Sequence, residues 1–140
     1  MILSGKARLA GVIGWPVAHS KSPRLHGYWL EKFSIDGAYV PLAVCPEDLE
    51  SSIRALARMG FAGINVTVPH KEAALRVCDQ LSDQARRIGA VNTLVFASDG
   101  AIHGSNTDGY GFLENLKAGA PQWSAAKGPC VVLGAGGAAR

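Results

Sequence analysis

Short apolar runs alternate with amphipathic stretches along this chain, and that alternation most constrains what it can fold into. Leu9-Ala10-Gly11-Val12-Ile13-Gly14 is an uncharged run of strand length, the pattern of a strand buried in a sheet. Ser22-Pro23 opens a helix, with Ser22 as N-cap and proline at the first helical position. Leu25, Tyr28, Trp29 and Phe33 recur at helical spacing and mark its inner face. Residues 38–44 read as a second strand, with Pro41 pointing to a sheet edge or a bulge. Pro46-Glu47-Asp48 starts a helix that turns Leu49, Ile53 and Leu56 inward and stops at Gly60. Residues 61–68 are a third strand. Short helices follow over 70–78 and 82–88. Residues 92–97 and 101–105 form a hairpin around Ser98-Asp99-Gly100, and a helix runs over 109–118. The β-α-β-α-β order predicts an α/β fold, a mostly parallel sheet flanked by helices.

Residues 119–128, rich in Gly, Ala, Pro and Ser, read as a linker. A fresh strand over 129–133 runs into Gly134-Ala135-Gly136-Gly137, so a second domain is expected to begin near residue 120. A βαβ unit takes about 30 residues or more, so the residues after Pro129 cannot complete it.

Composition narrows the function classes. Leu, Ile, Val and Phe are a quarter of the 140 residues, above the roughly 20% below which chains read as disordered. No uncharged run exceeds 12 residues, short of the about 20 a membrane helix needs. The first residues lack the basic lead and apolar stretch of a signal peptide. A net charge of +3 is too mild and scattered for nucleic acid. Cys45, Cys78 and Cys130 are too widely spaced for a disulfide framework or a metal knuckle, and buried, reduced thiols are expected. The expectation is a cytoplasmic protein with no membrane or nucleic-acid partner and no metal.

Five segments carry chemistry. In Asn65-Val66-Thr67-Val68-Pro69-His70-Lys71, alternation puts Ile64, Val66 and Val68 on one face and Asn65 and Thr67 on the other. Pro69 ends the strand, and Lys71 falls at a helix start, where the backbone dipole disfavours a cation. A nearby carboxylate would offset that, and a poised lysine carries protons. Lys71 could equally be a solvated surface lysine, and Asn65 and Thr67 the polar face of an edge strand. In Gly104-Ser105-Asn106-Thr107-Asp108-Gly109, Asp108 either caps a helix or faces a ligand hydroxyl and pairs with a lysine. In Gly14-Trp15-Pro16-Val17-Ala18-His19-Ser20-Lys21-Ser22-Pro23, Ser20, Ser22 and the free N–H groups of a helix make a natural carboxylate site, unless Ser22 only caps the helix. In Gly89-Ala90-Val91-Asn92-Thr93, Asn92 either serves a site or closes a turn. The glycine loop after residues 130–133 resembles a dinucleotide fingerprint, in which glycines let a pyrophosphate approach a helix N-terminus, although the helix that should follow is absent. A P-loop reading fails for want of the Gly-Lys-Ser/Thr ending.

Taken together and in this order, these five segments resemble the shikimate dehydrogenase family over nearly the whole chain. The resemblance implies a shikimate-binding catalytic domain over 1–108, a connecting helix and linker over 109–128, and the start of an NADP-binding Rossmann domain over 129–140. It implies interconversion of shikimate and 3-dehydroshikimate, with hydride passing between ring C3 and the nicotinamide of NADP. Ser20 and Ser22 would hold the substrate carboxylate, and Asn65, Thr67, Asn92 and Asp108 the ring hydroxyls. Lys71 with Asp108 would move the hydroxyl proton. Gly134, Ala135, Gly136, Gly137 and Ala138 would meet the cofactor, with Asp83 near it. A homodimer is the expected protein partner.

Family members continue through a full Rossmann domain and a returning segment that adds a glutamine and a tyrosine to the site. The 140-residue chain is therefore expected to be inactive alone, and to expose an apolar face that invites self-association. Two other readings are weighed. One is a relative preferring quinate. The other is a non-catalytic shikimate-binding module, against which stands the retained Lys71 and Asp108 pair.

Overall fold

The computed structural model describes residues 2–129 and 131–134. In chain order its elements are β1 (Arg8–Gly14), α1 (Ser22–Lys32), β2 (Gly37–Ala43), α2 (Leu49–Arg58), β3 (Phe61–Val66) and α3 (Lys71–Ala74). They continue with β4 (Gln80–Leu81), α4 (Asp83–Ile88), β5 (Thr93–Phe96), β6 (Ile102–Ser105) and α5 (Asp108–Gly119). One six-stranded sheet has the order β2-β1-β3-β5-β6-β4. β1 pairs in parallel with both β2 and β3. β5 runs antiparallel to β3 and β6, and β4 is parallel to β6. The sheet is thus mixed, with β5 alone reversed. β2 is an edge strand, where the missing N–H of Pro41 is tolerated.

The two faces differ in what covers them. Ile13, Ile64, Val66 and Leu94 join Leu49, Ile53 and Leu56 of α2 in one buried cluster, extended by Ala74, Val77, Ala85 and Ile102. The other face carries Ala10, Val12, Tyr39, Gly63, Asn65 and Thr93 in register across β2, β1, β3 and β5. Helix α1 lies on that second face, with His26 stacked on Tyr39. Gly63 permits the closest backbone approach there, since a Cβ on it would meet the Leu94 carbonyl oxygen at 2.4 Å.

Five local expectations change. Ser22 is the first residue of α1 and does not cap it; the cap position is Lys21, without a side-chain bond. Leu25, Tyr28, Trp29 and Phe33 are all exposed, and α1 buries no residue. A cavity of about 400 Å³ lined by Trp29, Leu30, Phe33, Ile35 and Tyr39 opens beside them instead of a packed layer. Val68 is exposed because β3 ends at Val66, two residues before the end that alternation predicts. Val131–Leu133 form no strand and are exposed, since a strand exists only through hydrogen bonds to a neighbour and these residues pair with no described strand. Cys130 and residues 135–140, with Ala135, Gly136, Gly137 and Ala138 among them, lie outside the described residues. Cys45 and Cys78 are free thiols, each only partly buried.

Packing predicts unequal costs for two large apolar side chains. Ile53→Ala, at a site with no exposure, should lower the stability by about 2–5 kcal/mol in urea unfolding. Phe33→Ala, on the open side of α1, should change it by no more than about 0.5 kcal/mol. Equal losses would mean that α1 belongs to the core.

Candidate active site

Open α/β sheets bind ligands beyond the carboxyl ends of their strands. Here that edge gathers the ends of β1, β3 and β6. The start of β5 joins them because β5 runs the opposite way. The loop after β1 is tied to the loop after β3 by Trp15 N–H donating to the Val68 carbonyl (3.1 Å) and Thr67 N–H to that of Ile13 (2.9 Å). The peptide bonds before Pro16 and Pro69 are both cis. His70, which is buried, bonds through Nε2 to the Val44 carbonyl (2.8 Å) and anchors the turn into α3.

Lys71 begins α3, and its Nζ lies 2.5 Å from Asp108 Oδ2. Lys71 is the better buried, with 22% of its side chain exposed against 41% for Asp108. Val91 N–H donates to the Lys71 carbonyl (2.9 Å), fixing the start of α3 against the β5 approach. Asp108 is the first residue of α5, where unpaired N–H groups favour a carboxylate. It does not cap the helix. Its own N–H donates to Asn106 Oδ1 (3.0 Å), and the buried Asn106 donates from Nδ2 to the Ala90 carbonyl (3.0 Å).

Asn92 completes the pair's surroundings. Its Nδ2 donates to Asp108 Oδ1 (2.8 Å) and to Thr107 Oγ1 (3.0 Å). Its Oδ1 accepts from the Thr93 hydroxyl (2.9 Å) and from Thr107 N–H (3.1 Å). Asn65 Nδ2 donates to Thr93 Oγ1 (3.1 Å) and to the Asn92 carbonyl (3.3 Å), and Asn65 Oδ1 accepts from the Tyr39 hydroxyl (2.7 Å). Ser20 Oγ accepts from Ser22 N–H (3.3 Å), and the Ser22 carbonyl accepts from the ring of His26, which stacks on Tyr39. Asn65, Asn92, Lys71 and Asp108 are therefore linked by hydrogen bonds, Ser20 and Ser22 reach them only through the His26–Tyr39 stack, and half-buried Thr67 sits between Asn65 and Lys71 along the chain. Asp83 stands apart. It is exposed at the first position of α4, whose start is capped by Ser82 Oγ accepting from Ala85 N–H (3.1 Å).

Tyr39 and Thr93 are the members that sequence reasoning missed. Tyr39 shares the outward face of β2 with Pro41, and Thr93 follows Asn92 directly, so period two and adjacency were the available signals. Burial pushes the Tyr39 phenol up from 10.0 to about 12, and the Ser22 side chain opposes that rise.

This edge is a polar surface of an α/β fold with a lysine–carboxylate pair close enough to share a proton. Residues 12–94 match the model of the shikimate dehydrogenase substrate binding domain. The chain belongs to the shikimate dehydrogenase family. It is 69% identical over 99% of its length to the shikimate dehydrogenase (NADP(+)) of Paramagnetospirillum magneticum, covering 50% of that protein. It is 66% identical over 99% of its length to that of Rhodospirillum rubrum, covering 49%. The chain spans about half the length of the curated relatives it matches. Among solved structures, shikimate 5-dehydrogenase from Thermus thermophilus in complex with shikimate superposes with a TM-score of 0.85 at 45% identity. That match covers 94% of this chain and 49% of the other.

A raised phenol has a defined consequence for stability. The folded state holds the Tyr39 proton more tightly than the unfolded chain, so this contribution is fully present below pH 10.0. It is lost as the pH rises through about 12. The absorbance titration of the chain minus that of Tyr39→Phe should show one phenol ionising at about 12. Ionisation at the ordinary 10.0 would contradict the burial argument.

Proposed function

We propose that this chain is the substrate-binding half of an NADP-dependent shikimate dehydrogenase, which interconverts shikimate and 3-dehydroshikimate. The observation that carries the reading is the Lys71 Nζ–Asp108 Oδ2 contact of 2.5 Å within a domain matching this family. Ser20 and Ser22 bind the substrate carboxylate at the start of α1, where helix N–H groups face an anion. Asn65, Thr67, Asn92 and Asp108 position ring hydroxyls. In the reducing direction the Lys71 ammonium gives its proton to the carbonyl oxygen as hydride reaches the ring carbon. In the oxidising direction the neutral amine takes the hydroxyl proton, and Asp108 stabilises the ammonium that forms.

NADP enters through the names of the relatives and the glycine loop. Gly134, with φ of 117°, adopts a conformation that suits glycine. The other loop residues lie outside the described ones, and Val131–Leu133 are exposed and unpaired. The described residues thus form no nucleotide cradle. We keep the division into a substrate domain over 1–108, a connector over 109–128 and a cofactor-domain start over 129–140. Asp83 is kept as a residue near the cofactor, Ala135–Ala138 as part of its loop, the cytoplasm as location and a homodimer as partner. Among the described residues no helix is long and apolar enough to cross a membrane.

Isothermal titration of shikimate into the chain, beside Lys71→Ala and a quinate control, tests the substrate assignment. Saturable binding of shikimate, weaker by about tenfold in Lys71→Ala through loss of a charged hydrogen bond, is expected. Stronger binding of quinate would favour the quinate-preferring relative, and no binding of either would overturn the reading. A second expectation concerns turnover. With 3-dehydroshikimate and NADPH, the chain alone should oxidise no NADPH above background, because it lacks a complete nucleotide site among its described residues. Measurable turnover would refute that.

A further inference from the structure

We propose that Tyr39 is a positioning residue whose hydroxyl closes one directional hydrogen-bond chain running to the Lys71–Asp108 pair. At the far end of that chain, a carboxylate paired with Lys71 can only accept hydrogen bonds. Asn92 must therefore turn its Nδ2 toward Asp108, as the 2.8 Å contact has it. The Asn92 oxygen then faces the Thr93 hydroxyl, which gives it its single proton at 2.9 Å. Toward Asn65, Thr93 can now only accept, so the Asn65 amide presents Nδ2 at 3.1 Å. That leaves Asn65 Oδ1 in need of a donor, and the Tyr39 hydroxyl supplies it at 2.7 Å. Reversing either asparagine would bring like atoms face to face at two contacts. Each joint fixes the next, and Tyr39 is the group that closes the order at the β2 end.

The framework suits Tyr39 to this role. Its β2 position pairs with Ala10 of β1, which in turn pairs with Gly63 of β3. Small residues therefore lie between the ring and Asn65, and the hydroxyl crosses β1 to reach β3. His26 stacks on the ring at 3.9 Å with 6° between planes, and its Nδ1–H donates to the Ser22 carbonyl at 3.0 Å. The ring is held on one side by a partner that is itself fixed to the helix start. Burial keeps the phenol protonated, hence a donor, up to about pH 12. With one lone pair of Asn65 Oδ1 engaged by Tyr39, the other can meet a ligand hydroxyl. This consequence for substrate rests on the functional reading above; the chain of bonds does not.

Two variants test the proposal in this same protein. Tyr39→Phe keeps the ring and its stack, and Thr93→Val breaks the chain one joint later with little change of volume. Hydrogen exchange of the Asn92 side-chain amide, followed by NMR with Asn92→Asp for assignment, should quicken about tenfold in each variant as a buried hydrogen bond is lost. The double variant should be no faster than the faster single one, because one break already frees the chain. Shikimate dissociation constants should follow the same order, each rising about tenfold and the double no further. A packing role for the ring would leave the Asn92 amide unmoved in Tyr39→Phe. That result, or multiplicative effects in the double variant, would overturn the proposal. If the unmodified chain binds no shikimate, the functional reading falls while the amide exchange still decides the role of Tyr39.

Discussion

The antiparallel pairing of β3 with β5 is the constraint on which the rest of the site depends. In a wholly parallel sheet the residue before β5 would lie at the opposite edge from the end of β3. Reversal puts Asn92 and Thr93 beside Asn65 and lets Val66 N–H donate to the Asn92 carbonyl at 2.8 Å. Gly63 makes the pairing possible, since any Cβ there would run into the Leu94 carbonyl. β6 then returns parallel to β3 and delivers Asn106, Thr107 and Asp108 to the same edge. One reversed strand thus converts four separate strand ends into a single polar surface.

The electrostatics of that surface are unequal. Asp108 opens α5, a helix of 12 residues, and also accepts from Asn92, so its charge is supported by the fold as well as by Lys71. Lys71 opens α3, where a dipole opposes a cation. With only 4 residues in α3, that opposition is small, and the carboxylate at 2.5 Å outweighs it. The carboxylate is held by the framework, and the lysine is held by the carboxylate.

Much of the fold was legible because buried strands and amphipathic helices leave period-two and period-3.6 traces. Leu49, Ile53 and Leu56 were expected to face inward on α2, and all three are buried. The trace misleads where packing is one-sided: Leu25, Tyr28, Trp29 and Phe33 follow helical spacing as well as the α2 residues do, yet stay exposed beside an open cavity. Local periodicity states which residues could share a face and says nothing of whether another layer covers it. Likewise Lys71 and Asp108 stood out through their local settings, a strand end and a helix start. Tyr39 and Thr93 did not, because their roles arise from register. Tyr39 lies 26 residues from Asn65, and Thr93 lies 28 from it. Such separations become contacts only once β2, β1, β3 and β5 are aligned.

Register also explains why the polar groups are tolerated at the sheet edge. A buried donor or acceptor left without a partner costs about 1–3 kcal/mol, and a half-satisfied network is worse than an apolar core. Among the described residues no buried side-chain nitrogen or oxygen lacks a hydrogen-bond partner. The asparagines, threonines and tyrosine satisfy one another, so their orientations are set by the sheet rather than by a bound molecule. A ligand arriving at this edge meets groups whose rotamers are already chosen. It therefore loses less entropy in ordering them than at a site of free side chains. The preorganisation follows from strand pairing, which places its cost in the folding of the domain rather than in the binding step.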